Sequence, residues 1–258
     1  MPDAWTEGDA AVLKHPGSPP VLVRIARGPV RVGDAAVIDL TDQIGRPPGE
    51  AIDWVGARYR LVRPSLGDLF TTMTRGAQII TAKDTGRILA LASVRPNATV
   101  GEAGSGSGEL TLALAHAVGP AGTVVSVDRR PEALRLAREN LERAGYAGRV
   151  RWEERDVARD GWPGGPYDAL LLDLPEPWAV AAVTHDALVQ GGHAVAYVPT
   201  YNQLERCVRS FREVRFDEVG ALEILERPLH VGDGGTRPSF EMLGHTGFLA
   251  HGRRVDAG

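Results

Sequence analysis

The chain has 258 residues, of which 29 are lysine or arginine and 33 are aspartate or glutamate, for a net charge of −4. Its 43% hydrophobic and 24% charged residues are typical of a globular protein and exclude an intrinsically disordered one. The acidic total argues against a generally basic, histone-like nucleic-acid binder and leaves room for a local basic face. Only Lys14 and Lys83 are lysines, so arginine carries nearly all of the positive charge. Arginine suits bidentate phosphate contacts, and a GC-rich genome is the plainer explanation of the same bias.

The cysteine and histidine content limits the sites that the chain can hold. Cys207 is the only cysteine, which excludes an intrachain disulfide and fits a reducing cytoplasm. No two histidines have the H-x-x-x-H spacing, and we expect no metal site. The first residues do not have the pattern of a signal peptide, and no apolar run reaches the length of a membrane helix. We therefore expect a soluble, cytoplasmic protein.

The first 65 residues differ in pattern from the rest of the chain. Short apolar runs punctuated by proline and glycine predict a small β-rich module over residues 1–65. Ser65, with Asp68 three residues later, resembles a capping box and predicts a helix over 65–73. A further helix is predicted over 83–93. The second domain is expected to comprise residues 66–258.

From residue 98, strand-like runs alternate with helical ones. Predicted strands lie at 99–100, 123–127, 150–152, 169–172 and 193–198, and predicted helices at 110–118, 131–144, 178–189 and 203–211. This alternation predicts an α/β fold with a parallel sheet. The glycine-rich stretch 228–240 is predicted to be a mobile loop.

A glycine-rich turn follows the first predicted strand of this second domain. Residues Glu102 to Gly108 read E-A-G-S-G-S-G, and glycines let a backbone turn tightly and approach a ligand closely. Asp128 ends the next strand, where a carboxylate can accept hydrogen bonds from ribose hydroxyls. Asp156 ends the third strand and can read an adenine amino group. These spacings indicate an adenosyl ligand, and a glycine turn without a ligand is the alternative.

The order of the glycines distinguishes two adenosyl ligands. A dinucleotide-binding turn reads G-x-G-x-x-G and leaves a helix N-terminus for the pyrophosphate. Here the order is E-x-G-x-G-x-G, which resembles motif I of class I S-adenosylmethionine methyltransferases, whose ligand has no phosphate.

A second segment, Asp173 to Trp178, reads D-L-P-E-P-W and follows an apolar strand. The carboxyl ends of strands carry the active site of an open α/β sheet. A carboxylate near a target nitrogen can take up a proton or offset developing positive charge. Trp178 could stack on a base or belong to the core, and the prolines alone could be structural.

Together these segments resemble the tRNA adenine-N1 methyltransferase family, which modifies position 58 of the T loop and in archaea also position 57. The resemblance covers nearly the whole chain and includes Arg75–Ile80 before Lys83-Asp84, motif I, Asp173–Trp178, Pro199–Gln203, and Gly244–Leu249 with Arg253-Arg254. It implies a Rossmann-like class I methyltransferase domain with a mostly parallel seven-stranded sheet. It also implies S-adenosylmethionine as cofactor, tRNA as partner, and a homotetramer.

The resemblance assigns roles residue by residue. Asp173 is implied as the catalytic residue. The implied cofactor-binding residues are Gln78, Glu102, Gly104, Gly106, Ser107, Gly108, Glu109, Leu110, Asp128, Asp156 and Asp173. The implied substrate-binding residues are Arg75, Pro175, Trp178, Tyr201, Asn202, His245 and Thr246.

One departure from the family keeps other functions open. Family members have an aromatic residue or histidine followed by proline before Lys-Asp, where this chain has Thr81 and Ala82. Trp178 or Tyr201 could compensate in the base pocket. The alternatives are a methyltransferase of the same fold that acts on another RNA or a small molecule, and a non-catalytic tRNA-binding subunit.

Arginines also recur every three residues from Arg206 to Arg215. A solvated helix face is favoured for them, with a phosphate track as the alternative. The candidate arginines for contact with tRNA are Arg58, Arg60, Arg63, Arg75, Arg253 and Arg254.

Overall fold

A computed structural model describes residues 4–33, 36–76 and 80–256. The chain divides into two compact units. The first runs to Arg75 and includes Arg138–Gly148, and the second comprises Gly76–Ala137 and everything from Arg149 onward. The expected domain boundary between residues 65 and 66 stays a prediction. No helix in the described ranges is both long enough and apolar enough to cross a membrane.

The first unit is built on antiparallel strands. They are β1 (Ala10–Lys14), β2 (Val21–Arg24), β3 (Pro29–Val32), β4 (Ala36–Asp39), β5 (Ala51–Trp54) and β6 (Ala57–Val62). Four of them form a sheet of order β2-β1-β6-β5, and β3 pairs with β4. Trp5, Leu13, Ile25, Leu40 and Leu61 are buried in its core. The predicted β-rich module is therefore present.

Helix α1 (Leu66–Thr72) begins with the predicted capping box. The Asp68 amide donates to Ser65 Oγ at 3.1 Å, and the Ser65 amide donates to the Asp68 carboxylate at 3.0 Å. Two of the amides that a helix N-terminus leaves unpaired are thereby satisfied.

The second unit contains the larger sheet. Its strands are β7 (Thr99–Ala103), β8 (Thr123–Asp128), β9 (Val150–Glu154), β10 (Tyr167–Leu172), β11 (Leu188–Val198), β12 (Asp217–Glu223), β13 (Leu229–Gly232), β14 (Gly235–Pro238) and β15 (Phe248–Arg253). In the described part of the chain, seven of them form one sheet of order β12-β15-β11-β10-β7-β8-β9. β15 runs antiparallel to both neighbours, whereas the pairs from β11 to β9 are parallel. The predicted mostly parallel α/β sheet is confirmed.

The remaining helices are α2 (Ala82–Leu91), α3 (Glu109–Val118), α4 (Pro131–Ala144), α5 (Val157–Asp160), α6 (Ala181–Ala187) and α7 (Tyr201–Glu213). The helix predicted at 131–144 is confirmed at both ends. The helix predicted over 178–189 is wrong at its end, because Leu188 already belongs to β11 and pairs with Tyr167. The sheet ladder there overrides local helical propensity.

The stretch 228–240 was expected to be a loop, and the structure shows that this is wrong. β13 and β14 pair as a hairpin, with Asp233-Gly234 at the turn between the paired Gly232 and Gly235. Asp-Gly favours the two-residue turns that suit hairpins. The glycines around the turn are typical of loops, so the sequence pattern of the two short strands is weak.

The order of the sheet positions the functional site. From β7 the chain continues to β8 on one side, whereas β10 on the other side continues to β11. Ligands bind outside the carboxyl ends of strands at such a switch point. The residues that follow β7, β8 and β10 therefore meet at one edge.

Candidate active site

A cavity of about 1020 Å³ opens at this edge of the sheet, within the second unit. Its walls include seven of the residues singled out in the sequence: Gly104, Gly106, Asp128, Asp156, Asp173, Pro175 and Trp178. The cavity is at the upper end of the size typical of small-molecule sites, so it has room for more than one nucleoside-sized group.

The glycine turn is locked to the strands on both sides. The Gly104 amide donates to the Val127 carbonyl at 2.8 Å, and the Asp173 amide donates to the Ala103 carbonyl at 2.9 Å. Gly104 has a φ of +97°, and a Cβ there would overlap the Asp173 carbonyl oxygen. Only glycine fits this position, and the close approach brings Asp173 beside the turn.

Asp128 lies at the end of β8 with its side chain 4% exposed. Its Oδ1 accepts from the Arg130 amide at 2.9 Å and from Arg130 Nε at 3.1 Å. Its Oδ2 accepts from Arg130 Nη2 at 3.0 Å and from the Gly106 amide at 3.4 Å. Burial acts to raise the pKa of Asp128, but these hydrogen bonds and the charge of Arg130 outweigh it and lower the pKa overall. The carboxylate is therefore ionised at neutral pH.

Asp173 behaves in the opposite way. Burial raises its pKa to about 7, against the opposing charge of Arg130 and with a smaller contribution from Asp128. Its carboxyl group has no hydrogen-bond partner among the described residues, and it lines the cavity. A carboxyl group that titrates near neutral pH can exchange protons with a ligand under physiological conditions.

Glu102 lies beneath the turn and does not line the cavity. Its Oε2 accepts from Ser126 Oγ at 2.7 Å and from Thr111 Oγ1, whereas its buried Oε1 has no partner among the described residues. Burial raises the pKa of Glu102 to about 8, so this carboxyl group is largely neutral at pH 7. This network supports the turn from below.

The other predicted cofactor residues surround the turn. Ser107 Oγ accepts from the Gly76 amide at 3.0 Å, and Gly108 is the N-cap of α3 with a φ of +85°. Glu109 and Leu110 are buried in the first turn of α3. Asp156 caps α5 by accepting from the Ala158 amide at 3.0 Å. Gln78 lies outside the described residues, and the cofactor roles stay predictions.

Thr246 is held by a buried network. Lys83 Nζ donates to Thr246 Oγ1 at 2.7 Å and to Asp84 at 2.8 Å, and Thr246 Oγ1 donates to Asp84 at 2.7 Å. The Tyr197 hydroxyl donates to the Thr246 carbonyl at 2.8 Å. Thr81, in the place of the family's aromatic residue, also donates to Asp84 at 2.8 Å. The Lys-Asp pair therefore holds the segment before β15.

His245 connects two segments next to this network. Its Nδ1 lies 2.8 Å from Glu223 Oε1, and its Nε2 lies 2.7 Å from the Pro199 carbonyl. Both partners are acceptors, so the doubly protonated ring fits best and the pKa of His245 is raised. Tyr201 is 68% exposed and packs against Phe248 at 4.3 Å between ring centroids. Neither His245 nor Tyr201 lines the cavity.

Helix α7 holds the segment from Asp173 to Trp178 with one face. Gln203 Nε2 donates to the Pro175 carbonyl at 3.1 Å, and Ser210 Oγ donates to the Trp178 carbonyl at 2.9 Å. Between them, the Arg206 guanidinium lies 5.2 Å from the Trp178 ring centroid. These helix residues are three and four positions apart and share a face. Arg206, which the sequence placed on a solvated face, lines the cavity.

Four predicted RNA contacts lie elsewhere. Arg75 and Asn202 are exposed and do not line the cavity. Arg254 donates to the Leu188 carbonyl at 2.6 Å and pairs with Asp256 at 2.9 Å. Arg253 donates to the Gly191 carbonyl at 3.2 Å. Arg253 and Arg254 thus hold β11 and the chain end in place.

Sequence reasoning assigned no site role to several cavity residues: Ile80, Arg129, Arg130, Arg155, Tyr197 and Gln203. Tyr197 lies near the carboxyl end of β11, and the rule that selected Asp128 and Asp173 could have found it. Arg129 and Arg130 directly follow Asp128, but a sequence does not show which way such side chains turn. In the described ranges, no group of three or more His, Cys, Asp or Glu side chains could hold a metal ion.

Comparison with known proteins agrees with this geometry. Residues 63–234 match the family described as the tRNA methyltransferase complex GCD14 subunit. The tRNA (adenine(57)-N(1)/adenine(58)-N(1))-methyltransferase TrmI of Methanocaldococcus jannaschii is 33% identical over 223 residues, which are 77% of this chain and 79% of that protein.

Two solved structures are similar over nearly their whole length. The tRNA (m1A58) methyltransferase TrmI of Aquifex aeolicus has a TM-score of 0.75 at 25% identity, over 98% of this chain and 100% of that one. An S-adenosylmethionine-dependent O-methyltransferase of Thermotoga maritima has a TM-score of 0.82 at 29% identity, over 99% and 96%. The fold is thus that of S-adenosylmethionine-dependent methyltransferases, and the chain belongs to the GCD14/TrmI family of tRNA methyltransferases.

Proposed function

We propose that this protein transfers a methyl group from S-adenosylmethionine to N1 of adenine 58 in the tRNA T loop. The observation that carries the proposal is one cavity lined by Asp173, Asp128 and Asp156, which lie at the carboxyl ends of three strands of the same sheet. Its relatives TrmI of M. jannaschii and A. aeolicus are named for this reaction, the first also for position 57. Nucleoside analysis of the product distinguishes the modification of one adenine from the modification of two.

The residues of the cavity fit an adenosyl cofactor. Asp128 is buried and ionised, and an ionised carboxylate can accept hydrogen bonds from two ribose hydroxyls. Asp156 lies at the end of the adjacent strand for the adenine, and the turn at Gly104 and Gly106 brings backbone close to the ligand. When bound, S-adenosylmethionine supplies a methyl group on an already activated sulfonium.

Asp173 is the residue that acts on the substrate. N1 of adenine is engaged in pairing when the base is stacked, so the protein must hold the base flipped out. Methylation places positive charge on the adenine ring, and a carboxylate can offset that charge or take up the proton released from the amino group. Its pKa of about 7 suits both roles near neutral pH.

Two aromatic side chains at the cavity provide surfaces for the base. Trp178 is partly buried on the segment that follows Asp173, and the Arg206 guanidinium lies over its ring. Tyr197 is 8% exposed and is fixed by its hydrogen bond to Thr246. Stacking of a flipped base contributes about 1–3 kcal/mol per base. Because Thr81 cannot stack, we assign this function to Trp178 and Tyr197.

The protein would act as a homotetramer in the cytoplasm. The assembly is supported by apolar side chains exposed on and beside the β13–β14 hairpin: Leu225, Leu229, Val231, Phe240, Met242 and Leu243. Exposed apolar side chains grouped along one segment of the chain favour an interaction surface there. A cytoplasmic location is supported by the single, unpaired Cys207.

The test is methylation of an unmodified tRNA transcript with labelled S-adenosylmethionine, followed by nucleoside analysis. We expect 1-methyladenosine at position 58 in the wild-type reaction and no methylation at that position with a transcript that has guanosine there. Asp173→Ala should bind cofactor and fold but give no product. A wild-type protein that binds both ligands without forming 1-methyladenosine would exclude this function.

The likeness to an O-methyltransferase supports a second candidate, methyl transfer to a hydroxyl group of another substrate. The same assay separates the two, because the labelled methyl group would then appear on an oxygen. A non-catalytic subunit would give no product with any acceptor, although the carboxylates at Asp128, Asp156 and Asp173 are all present in the cavity.

A further inference from the structure

The carboxylate expected to bind the ribose, Asp128, already accepts hydrogen bonds from protein donors at all of its acceptor positions. A carboxylate offers about four lone-pair positions. Asp128 fills them with four donors: the amides of Arg130 and Gly106, and Nε and Nη2 of Arg130. Two ribose hydroxyls can bind Asp128 only if two of these donors leave.

The two amides cannot leave, because they belong to the turn and to the backbone at the start of α4. The Arg130 side chain can move away from Asp128, because half of it (50%) is exposed. We propose that the bound cofactor displaces the Arg130 guanidinium from Asp128 and that the freed guanidinium binds a phosphate of the RNA. The cofactor would thereby strengthen RNA binding; this rests on the proposed function.

The position of Arg130 favours an RNA phosphate as its new partner. Arg129 and Arg206 line the same cavity, and among the described residues neither has a carboxylate partner. Arg206 is held in place by the Trp178 ring. A base that enters the cavity must bring its flanking phosphates to this rim, and a guanidinium fork matches phosphate oxygens.

The competing destination is a second carboxylate. Asp173 and Glu176 also line the cavity, and Asp173 is close enough for its charge to influence Arg130. If the displaced guanidinium moved to Asp173 or Glu176, cofactor binding would not change the affinity for RNA. The two destinations therefore differ in a quantity that can be measured.

The experiment is a binding cycle with the wild-type protein, an unmodified tRNA transcript and S-adenosylhomocysteine, which has no sulfonium charge. We expect S-adenosylhomocysteine to tighten tRNA binding about fivefold to tenfold, within the usual range of coupling between sites. One new phosphate contact should steepen the plot of log K against log salt by about 0.7–0.9. By reciprocity, tRNA should tighten S-adenosylhomocysteine binding by the same factor.

Arg130→Ala should remove this coupling and, without tRNA, bind S-adenosylhomocysteine more tightly than wild type because the competitor is gone. Arg130→Gln retains the aliphatic stem of the side chain without its charge and should behave in the same way. Arg209→Ala is the matched control: Arg209 lies on α7, pairs with Glu205 at 3.3 Å and does not line the cavity. It should retain the wild-type coupling.

The proposal is overturned if both Arg130 variants retain the coupling, if they bind S-adenosylhomocysteine more weakly, or if the wild type shows none. Weaker binding would mean that Arg130 orients Asp128 for the ribose. Failure of the proposed function is a separate outcome. Coupled binding of the two ligands without formation of 1-methyladenosine would contradict only the proposed function. Methylation of adenine 58 without coupling between cofactor and tRNA binding would contradict only the inference about Arg130.

Discussion

Gly104 and Asp173 approach each other so closely that a Cβ on Gly104 would overlap the Asp173 carbonyl oxygen. The two residues belong to loops after neighbouring parallel strands, β7 and β10. This contact sets the distance between the turn that would bind the cofactor and the carboxyl group that would act on the base. A substitution at Gly104 therefore tests directly how this contact shapes the cavity.

Gly104→Ala should weaken S-adenosylhomocysteine binding at least tenfold and lower the free energy of unfolding by about 1–3 kcal/mol, the usual range for overpacking. Gly119→Ala is the matched control, because Gly119 also has a positive φ (+72°), a Cβ there meets no atom within 4 Å, and the residue does not line the cavity. It should lose only about 1 kcal/mol through backbone strain. Calorimetry and urea unfolding measure both quantities. Equal binding by Gly104→Ala and wild type would show that the loops can separate without loss.

Asp173 should make activity and stability depend on pH in opposite directions. Its folded pKa of about 7 lies above its ordinary value of 3.8, so the folded state loses stability as pH rises between these values. Asp173→Asn removes this loss and should be more stable than wild type above pH 7 by about 4 kcal/mol, with almost no difference near pH 4. Thermal melts from pH 4 to 9 measure the difference.

The same variant should lose about 10² to 10⁴ in methylation rate. In wild type, kcat/KM should rise with pH through about 7, because the ionised carboxylate is the active form in the free enzyme. Bound S-adenosylmethionine, as a cation, should move the midpoint for kcat to lower pH. A rate that is flat across pH 6 to 8 would remove Asp173 from its assigned role.

Lys83 should stabilise the folded protein by neutralising the buried carboxylate of Asp84. The Lys83 and Asp84 side chains are 6% and 1% exposed, so Lys83→Ala leaves a buried carboxylate without its cation. Breaking such a pair costs about 3–5 kcal/mol. Thr246→Val removes one hydroxyl from the same network and should cost about 1–2 kcal/mol. Urea unfolding of both variants and of the double variant should give clearly non-additive losses, and additive losses would mean that the three side chains act independently.

The sequence could predict the features that depend on nearby residues. The capping box of Ser65 and Asp68, helix α4 and the carboxylates at strand ends all arise from patterns a few residues long. The glycine turn and Asp173 were found because chemistry at the ends of parallel strands follows from the fold class.

What the sequence could not show depends on tertiary packing. Lys83 and Thr246 are 163 positions apart and meet only within the folded second unit. Arg206 lines the cavity because α7 packs on the segment of Trp178, whereas its spacing alone favoured a solvated face. The β13–β14 hairpin was read as a loop, since its glycines cluster at the turn. Among the described residues, its short strands pair with each other and not with the larger sheet.

This hairpin leads to the last prediction, which concerns assembly. Val231 and Phe240 are 79% and 89% exposed, far more than apolar side chains of this size usually are. If they lie at the centre of a subunit interface, each truncation should cost about 2 kcal/mol of association, roughly thirtyfold in Kd. Val231→Ser with Phe240→Ser should therefore convert an oligomer into smaller species in sedimentation velocity.

Val55→Ser is the control, because Val55 is 71% exposed in the first unit, away from the hairpin in sequence. It should leave the sedimentation profile unchanged. Circular dichroism of the double variant should match wild type, since neither side chain contributes to the core. A wild-type protein that sediments as a monomer at every concentration, or a double variant that remains fully assembled, would show that the hairpin side chains do not hold subunits together.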